Sequence, residues 1–282
     1  MRLTKILLAS LAVVFCLFTI ALHVIGFLFS LHDRAMKSYP SKFLVEPDGR
    51  VIHYYELDQT NAEWNILFVH GTPAMAADFH KQFENPFPRA NLIALDRPGF
   101  GRSSPGWHRP HLEEQAAIAL SVLPTNHLRT IIVGHSYGGA VALQMALKYP
   151  EKIAGIILVG GAVDPGQEHI HTFQYVADWP IFSWLAPSGL RECNRELITL
   201  RGDLLRLEPH IASLEGPVVM VHGSADPLVP VANVAYLRNQ LAEAHKTNLF
   251  TPMIIKGYDH FIPWEHPDAI QTALRTLTAQ LQ

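Results

Sequence analysis

Val133-Gly134-His135-Ser136-Tyr137-Gly138-Gly139 is the stretch on which the reading of this chain turns. It follows the apolar run Thr130-Ile131-Ile132-Val133 and opens the run Ala140-Val141-Ala142-Leu143-Gln144-Met145-Ala146-Leu147. The first run predicts a buried strand and the second a helix, which puts Ser136 on the turn between them. Glycine two places before and two after the serine is what a very sharp turn requires, since a side chain there would strike neighbouring backbone. Such a turn lifts the serine oxygen clear of the sheet. The helix N-terminus behind it favours developing negative charge. The competing reading is a glycine-rich turn with a capping serine, and the rest of the chain bears on that choice.

Outward from this stretch, apolar runs of strand length alternate with helical patterns. Strands are predicted at 65–70, 91–95, 130–133, 155–159, 217–221 and 251–256, and helices at about 76–85, 112–123, 136–149, 231–244 and 266–281. Pro47-Asp48-Gly49 separates two further strand-like runs, 43–46 and 51–56, as a hairpin turn would. Alternation of this kind implies an α/β fold, a mainly parallel sheet of eight strands with helices on both faces. Nearly sixty residues between Val159 and Pro217 contain no convincing strand. Leu190, Cys193, Leu197, Leu200, Leu204 and Leu207 recur there at close to helical spacing, with Arg191, Glu192, Arg195, Glu196 and Arg206 between them. An aromatic-rich piece, Phe173 to Trp184, precedes them. A structureless loop so long is uncommon inside a domain, so a helical cap is expected at about 162–214.

The 282 residues suit one large domain, and a net charge of −3 without a basic run in the globular part argues against nucleic acid as a partner. Ile6 to Phe29 is apolar except for Ser10, Thr19, His23 and Gly26. As a helix it would span about 36 Å, enough for a hydrocarbon core of about 30 Å. It is longer than the core of a cleavable signal and lacks a small-residue cleavage site. The expected organisation is therefore a transmembrane signal anchor at 1–30, crossing through residues 6–29, a linker at 31–42 and a catalytic domain at 43–282. Arg2 and Lys5 oppose Arg34, Lys37 and Lys42, so the positive-inside rule leaves the orientation open. Cys16 and Cys193 are far apart and do not fix the redox compartment.

A serine hydroxyl needs a base to take its proton, and that base needs a carboxylate to set its tautomer. Sheets of this kind place function at the carboxyl ends of their strands. Of the 16 histidines, His260 in Gly257-Tyr258-Asp259-His260-Phe261 follows the last strand on a loop at the correct end. His70, His135 and His222 each end a strand and read as turn-shaping residues. Asp226, in Gly223-Ser224-Ala225-Asp226-Pro227, follows the preceding strand and is the candidate acid; Asp164 is the fallback and Asp259 a weaker choice.

Chain order is then Ser136, Asp226, His260, and residues 43–282 resemble a capped, lipase- and esterase-like α/β-hydrolase. Four stretches carry the resemblance: His70-Gly71-Thr72-Pro73, Asp96 through Ser103, the serine turn, and His222 through Pro230. It implies a serine hydrolase acting on a carboxylic ester, without metal or cofactor, with the backbone N–H groups of Thr72 and Tyr137 holding the oxyanion. Serine at the turn argues against the carboxylate-nucleophile chemistries of the same fold. Thioester hydrolysis, perhydrolysis and C–C bond hydrolysis remain open with the same three residues, whereas a hydrolase-like protein that only binds is disfavoured because every catalytic part is present. Trp179, Phe182 and Trp184 are candidates for an acyl pocket beside their bland reading as cap core. With the short linker, they lead to the expectation of a lipid-like or monoacylglycerol-type ester.

Overall fold

Strand β5, Thr130–His135, is buried along its whole length at the middle of the sheet. In this computed structural model, residues 34–180 and 186–282 are described. The expected anchor at 6–29 and the aromatics Phe182 and Trp184 lie outside them. Among the described residues no helix is long and apolar enough to cross a membrane. Tyr39–Gln282 forms one unit.

The eight strands are β1 Ser41–Val45, β2 Val51–Leu57, β3 Trp64–Val69, β4 Ala90–Leu95, β5, β6 Ile153–Val159, β7 Val218–Gly223 and β8 Phe250–Ile255, in spatial order β1-β2-β4-β3-β5-β6-β7-β8. From β4 to β8 all neighbours run parallel, while β1–β2 and β2–β4 are antiparallel. This is the α/β-hydrolase fold. Every residue of β4, β5, β6 and β7 is buried. That is why these segments read as continuous apolar runs: helices cover both faces of a parallel sheet, and neither face can be polar. The antiparallel hairpin β1–β2 forms one edge, and the turn at Pro47-Asp48-Gly49 closes it, with Gly49 at φ 81°.

Among the described residues the helices are α1 His80–Glu84, preceded by a 3-10 turn at Ala76–Phe79, then α2 Leu112–Ser121, α3 Tyr137–Lys148, α4 Thr172–Ala177, α5 Ser188–Leu207, α6 Ala232–Glu243, α7 Ile262–Glu265 and α8 Pro267–Leu281. α3 is buried along most of its length, as expected of the helix that follows the central strand. α8 buries Ile270, Leu274 and Leu277 at helical spacing.

The cap follows β6 and is built from α4, α5 and the 3-10 turn Glu208–Ser213. α5 buries Cys193, Leu200, Leu204 and Leu207, as the leucine spacing implies, and it buries Glu192, Glu196 and Asp203 as well. Buried carboxylates are costly unless partnered. Here each has a partner on the segment between β4 and α2: Glu192 with His108, Glu196 with Arg97, and Asp203 with His111 and the Leu112 N–H.

Candidate active site

Ser136 sits between β5 and α3 with φ 55° and ψ −122°, a backbone state that residues with a side chain enter at a cost of about 1–3 kcal/mol. The flanking glycines make it possible. A Cβ on Gly134 would lie 2.2 Å from the Gly138 carbonyl oxygen, and one on Gly138 would lie 2.2 Å from that of Val69. Hydrogen bonds fix the turn from outside: Ser136 N–H donates to Val159 O at 3.0 Å, and Ala162 N–H donates to Ser136 O at 3.2 Å.

His260 and Asp226, 34 residues apart, meet beyond the carboxyl ends of β8 and β7. The His260 Nδ1 to Asp226 Oδ2 distance is 2.7 Å, and both side chains are nearly inaccessible. The Leu228 and Val229 N–H groups donate to Asp226 Oδ1 at 2.9 and 2.8 Å. Burial pushes the Asp226 carboxyl up, but the hydrogen bonds from His260, Val229 and Leu228 outweigh it and hold the group below the usual carboxylate range. An ionised Asp226 requires the proton on Nδ1, which leaves a lone pair on Nε2. Asp164, the fallback acid, instead accepts the Gly166 N–H, and Asp259 accepts that of Phe261.

Ser136 and His260 line one cavity of about 430 Å³. No hydrogen bond joins Ser136 Oγ to the imidazole; in resting sites such contacts are commonly long and tighten around substrate. Gly71 brings the loop before Thr72 against the serine, for a Cβ there would stand 2.9 Å from Ser136 Cβ. Thr72 and Tyr137 line the same cavity, and neither of their N–H groups donates to another backbone group among the described residues. Ser136, His260 and both expected oxyanion donors therefore line one space, and Asp226 stands behind the imidazole.

The cavity's apolar walls come from Leu197 and Leu200 on α5, Leu228 and Val229 after β7, and Phe261 and Trp264 after β8. Trp179 is 58% exposed and is not among the lining residues. The legible signal for the wall was adjacency: Leu228 and Val229 follow Asp226 in the chain, and Phe261 follows His260. Glu168, on the loop between β6 and α4, also lines the cavity and carried no such signal. Among the described residues no cluster of side chains is arranged to hold a metal ion.

Arg97 organises the floor. Its side chain is buried and donates to the carbonyls of His70 and Gly71 at 2.9 and 2.6 Å, pairs with Glu196, and stands 4.6 Å from the centre of the Tyr137 ring. The loop carrying Thr72 and the residue after Ser136 are thus both packed on one guanidinium. Its own N–H donates to His70 Nε2 at 2.9 Å, so that ring is neutral with its proton on Nδ1, toward Gly71 O.

His135 and His222 complete the set of buried strand-end histidines. They hydrogen-bond the carbonyls of His260 and Val229 at 3.0 and 2.9 Å. Burial, reinforced by His260, pushes His135 down to about 3; burial also lowers His70 and His222. In the unfolded chain these rings take up protons below about pH 6.5, whereas the folded ones do so only at lower pH. More protons on the unfolded state means stability lost as pH falls through that value, and for His135 the loss continues down to about pH 3. Glu168, pushed up to about 7, and Glu196, also raised, act in the opposite sense, so a difference between variants isolates the histidine. Between pH 6 and 4, urea stability of His135→Gln should fall less steeply than wild type by about 1.4 kcal/mol per pH unit. Parallel slopes would show that His135 is protonated in the fold.

The comparisons with known proteins agree with this architecture. A family model described as alpha/beta hydrolase fold matches residues 65–187. Pimeloyl-[acyl-carrier protein] methyl ester esterase of Yersinia enterocolitica is 34% identical over 240 residues, covering 73% of this chain and 89% of that protein. The chain belongs to the α/β-hydrolase fold family, among its esterase- and lipase-like members. Monoacylglycerol lipase of Mycolicibacterium smegmatis is 26% identical over 237 residues, covering 68% of this chain and 81% of the lipase. Other curated relatives, 32–33% identical, are matched over 29–35% of their own length, so the chain spans about a third of them. Among solved structures, a bacterial membrane phospholipase A superposes with a TM-score of 0.63 at 19% identity, covering 99% of this chain and 97% of that one.

Proposed function

We propose that this hydrolase is a serine esterase that cleaves a carboxylic ester through an acyl-enzyme. The observation that carries the reading is the Asp226–His260 hydrogen bond at 2.7 Å, facing the same cavity as a serine held at positive φ. Ser136 attacks the ester carbonyl, and His260 Nε2 takes its proton and passes it to the leaving alcohol. Asp226 keeps Nδ1 protonated and stabilises the imidazolium. Thr72 and Tyr137 N–H groups receive the oxyanion, where fixed dipoles act without reorganisation. Water then repeats the sequence on the acyl-enzyme.

The acyl group is the apolar side of the substrate in this reading, because Leu197, Leu200, Leu228, Val229, Phe261 and Trp264 give the cavity a largely apolar surface. Each methylene buried there contributes about 0.8 kcal/mol, nearly fourfold in specificity, until the wall is filled. Monoesters from acetyl to dodecanoyl should therefore show kcat/KM rising to a medium-chain optimum, and truncating Leu197 or Trp264 should move that optimum. A steady fall from acetyl onward would assign the cavity to something other than an acyl chain. Labelling by a fluorophosphonate that disappears in a Ser136 variant separates this enzyme from a protein that only binds.

The apolar run at 6–29 is proposed to hold the catalytic domain at a membrane, with the domain beginning near residue 43. The full chain should sediment with membranes and resist carbonate extraction, whereas a chain lacking residues 1–37 should be soluble and active. Release of the full chain by carbonate would leave residues 6–29 without an anchoring role.

A further inference from the structure

The cavity around Ser136 is apolar over most of its wall but contains one carboxylate. Glu168 lies on the loop between β6 and α4, half-buried. The other titratable side chains lining the space are accounted for: His260 is held by Asp226, His135 donates to the His260 carbonyl, and the Tyr137 hydroxyl donates to Pro110 O at 2.8 Å. Glu168 has no hydrogen bond or ion pair within the described residues, whereas nearby Asp164 already accepts the Gly166 N–H. A carboxylate in such surroundings is poorly solvated and lacks a donor, and a ligand that supplies one gains most of the difference.

We propose that Glu168 determines substrate specificity by forming a polar subsite beside Ser136, where it accepts a hydrogen bond from a hydroxyl or ammonium group of the ester and disfavours esters that carry an anionic group there. The inference rests on the esterase reading given above and names the class it serves: esters of hydroxylated alcohols, such as a glycerol monoester. Two further observations point the same way. The carboxyl group is pushed up to about 7 by burial and by the charge of Asp164, the behaviour of a group short of donors. Leu197, Leu200, Leu228, Val229, Phe261 and Trp264 line much of the remaining wall, so a carboxylate stands out against it and can orient a bound molecule.

The experiment compares four butanoate esters on the full chain at one pH above 8: the ethyl ester, the glyceryl monoester, the choline ester, and the ester of glycolate, whose anion lies on the alcohol side. Wild type should favour the glyceryl over the ethyl ester by about tenfold in kcat/KM, the size of a hydrogen bond to a charged group. Glu168→Leu should abolish that preference while leaving the ethyl ester within about twofold, a split that loss of folding would not produce. Glu168→Gln, which keeps an acceptor without the charge, should retain part of the glyceryl preference, lose that for choline, and improve turnover of the anionic glycolate ester. A glyceryl preference without a choline one assigns the contact to a hydroxyl donor; a choline preference without a glyceryl one, choline having no N–H to donate, would assign it to charge alone and overturn the hydrogen bond. An enzyme active on the ethyl ester whose ranking of all four survives Glu168→Leu overturns the inference alone. A folded wild type that turns over none of the four overturns the esterase reading beneath it.

Discussion

Ser136→Ala is expected to lower ester turnover by about 10³-fold or more, leaving only what binding and the oxyanion donors contribute. Stability should hardly change. Alanine at φ 55° bears the same backbone strain as serine, and the hydroxyl makes no hydrogen bond whose loss would be felt. Ser136→Gly separates the two effects, since glycine is at ease at positive φ and should raise the melting temperature while being equally inactive. Measured together, kcat/KM and thermal melting of the two variants give a signature that a structural serine would not. A near-normal rate in Ser136→Ala, with a fluorophosphonate still attached elsewhere, would move the nucleophile away from this turn.

Asp226→Asn is expected to cost about 10³–10⁴-fold, for a reason visible in its hydrogen bonds. The Leu228 and Val229 N–H groups both point at Oδ1, so the amide of an asparagine must turn its oxygen toward them. Its NH₂ then faces His260 Nδ1 and can only donate. That forces the ring proton onto Nε2, the nitrogen that has to receive the serine proton. The enzyme would be folded with the wrong tautomer, and kcat should fall with little change in KM. Asp164→Asn is the control and should be mild. If the two outcomes are exchanged, the acid belongs to the loop after β6 and not to that after β7.

How far the chain could be read in advance depended on whether the deciding interaction was local. Strands β4 to β7 announce themselves because burial on both faces leaves them continuously apolar. The sharp turn at Ser136 is written in Gly134 and Gly138, whose missing side chains the structure explains. The pairing of His260 with Asp226 follows a geometric rule, the carboxyl ends of parallel strands, that needs only strand positions. The cap obeyed no such rule. Its irregular piece offered Trp179 as an aromatic without a period to say which way it faces, and the structure turns it outward. In α5 the apolar spacing was legible, but the burial of Glu196 depends on Arg97, 99 residues earlier, and periodicity within a helix cannot report a partner that far away. Glu168 escaped notice because a lone acid on a loop ordinarily faces solvent.

The buried pairing of Arg97 with Glu196 also bears on how such a protein could be remodelled. Arg97 belongs to the floor and Glu196 to the roof, and each neutralises the other out of reach of water. Removing either alone strands a charge, with a penalty of about 3–5 kcal/mol. A roof grafted from another protein would have to bring a carboxylate to the same place, or the floor would have to surrender its guanidinium and with it the grip on the His70 and Gly71 carbonyls. The cap is therefore not an interchangeable module: a lineage that alters it must keep a carboxylate over Arg97 or change Arg97 in the same step.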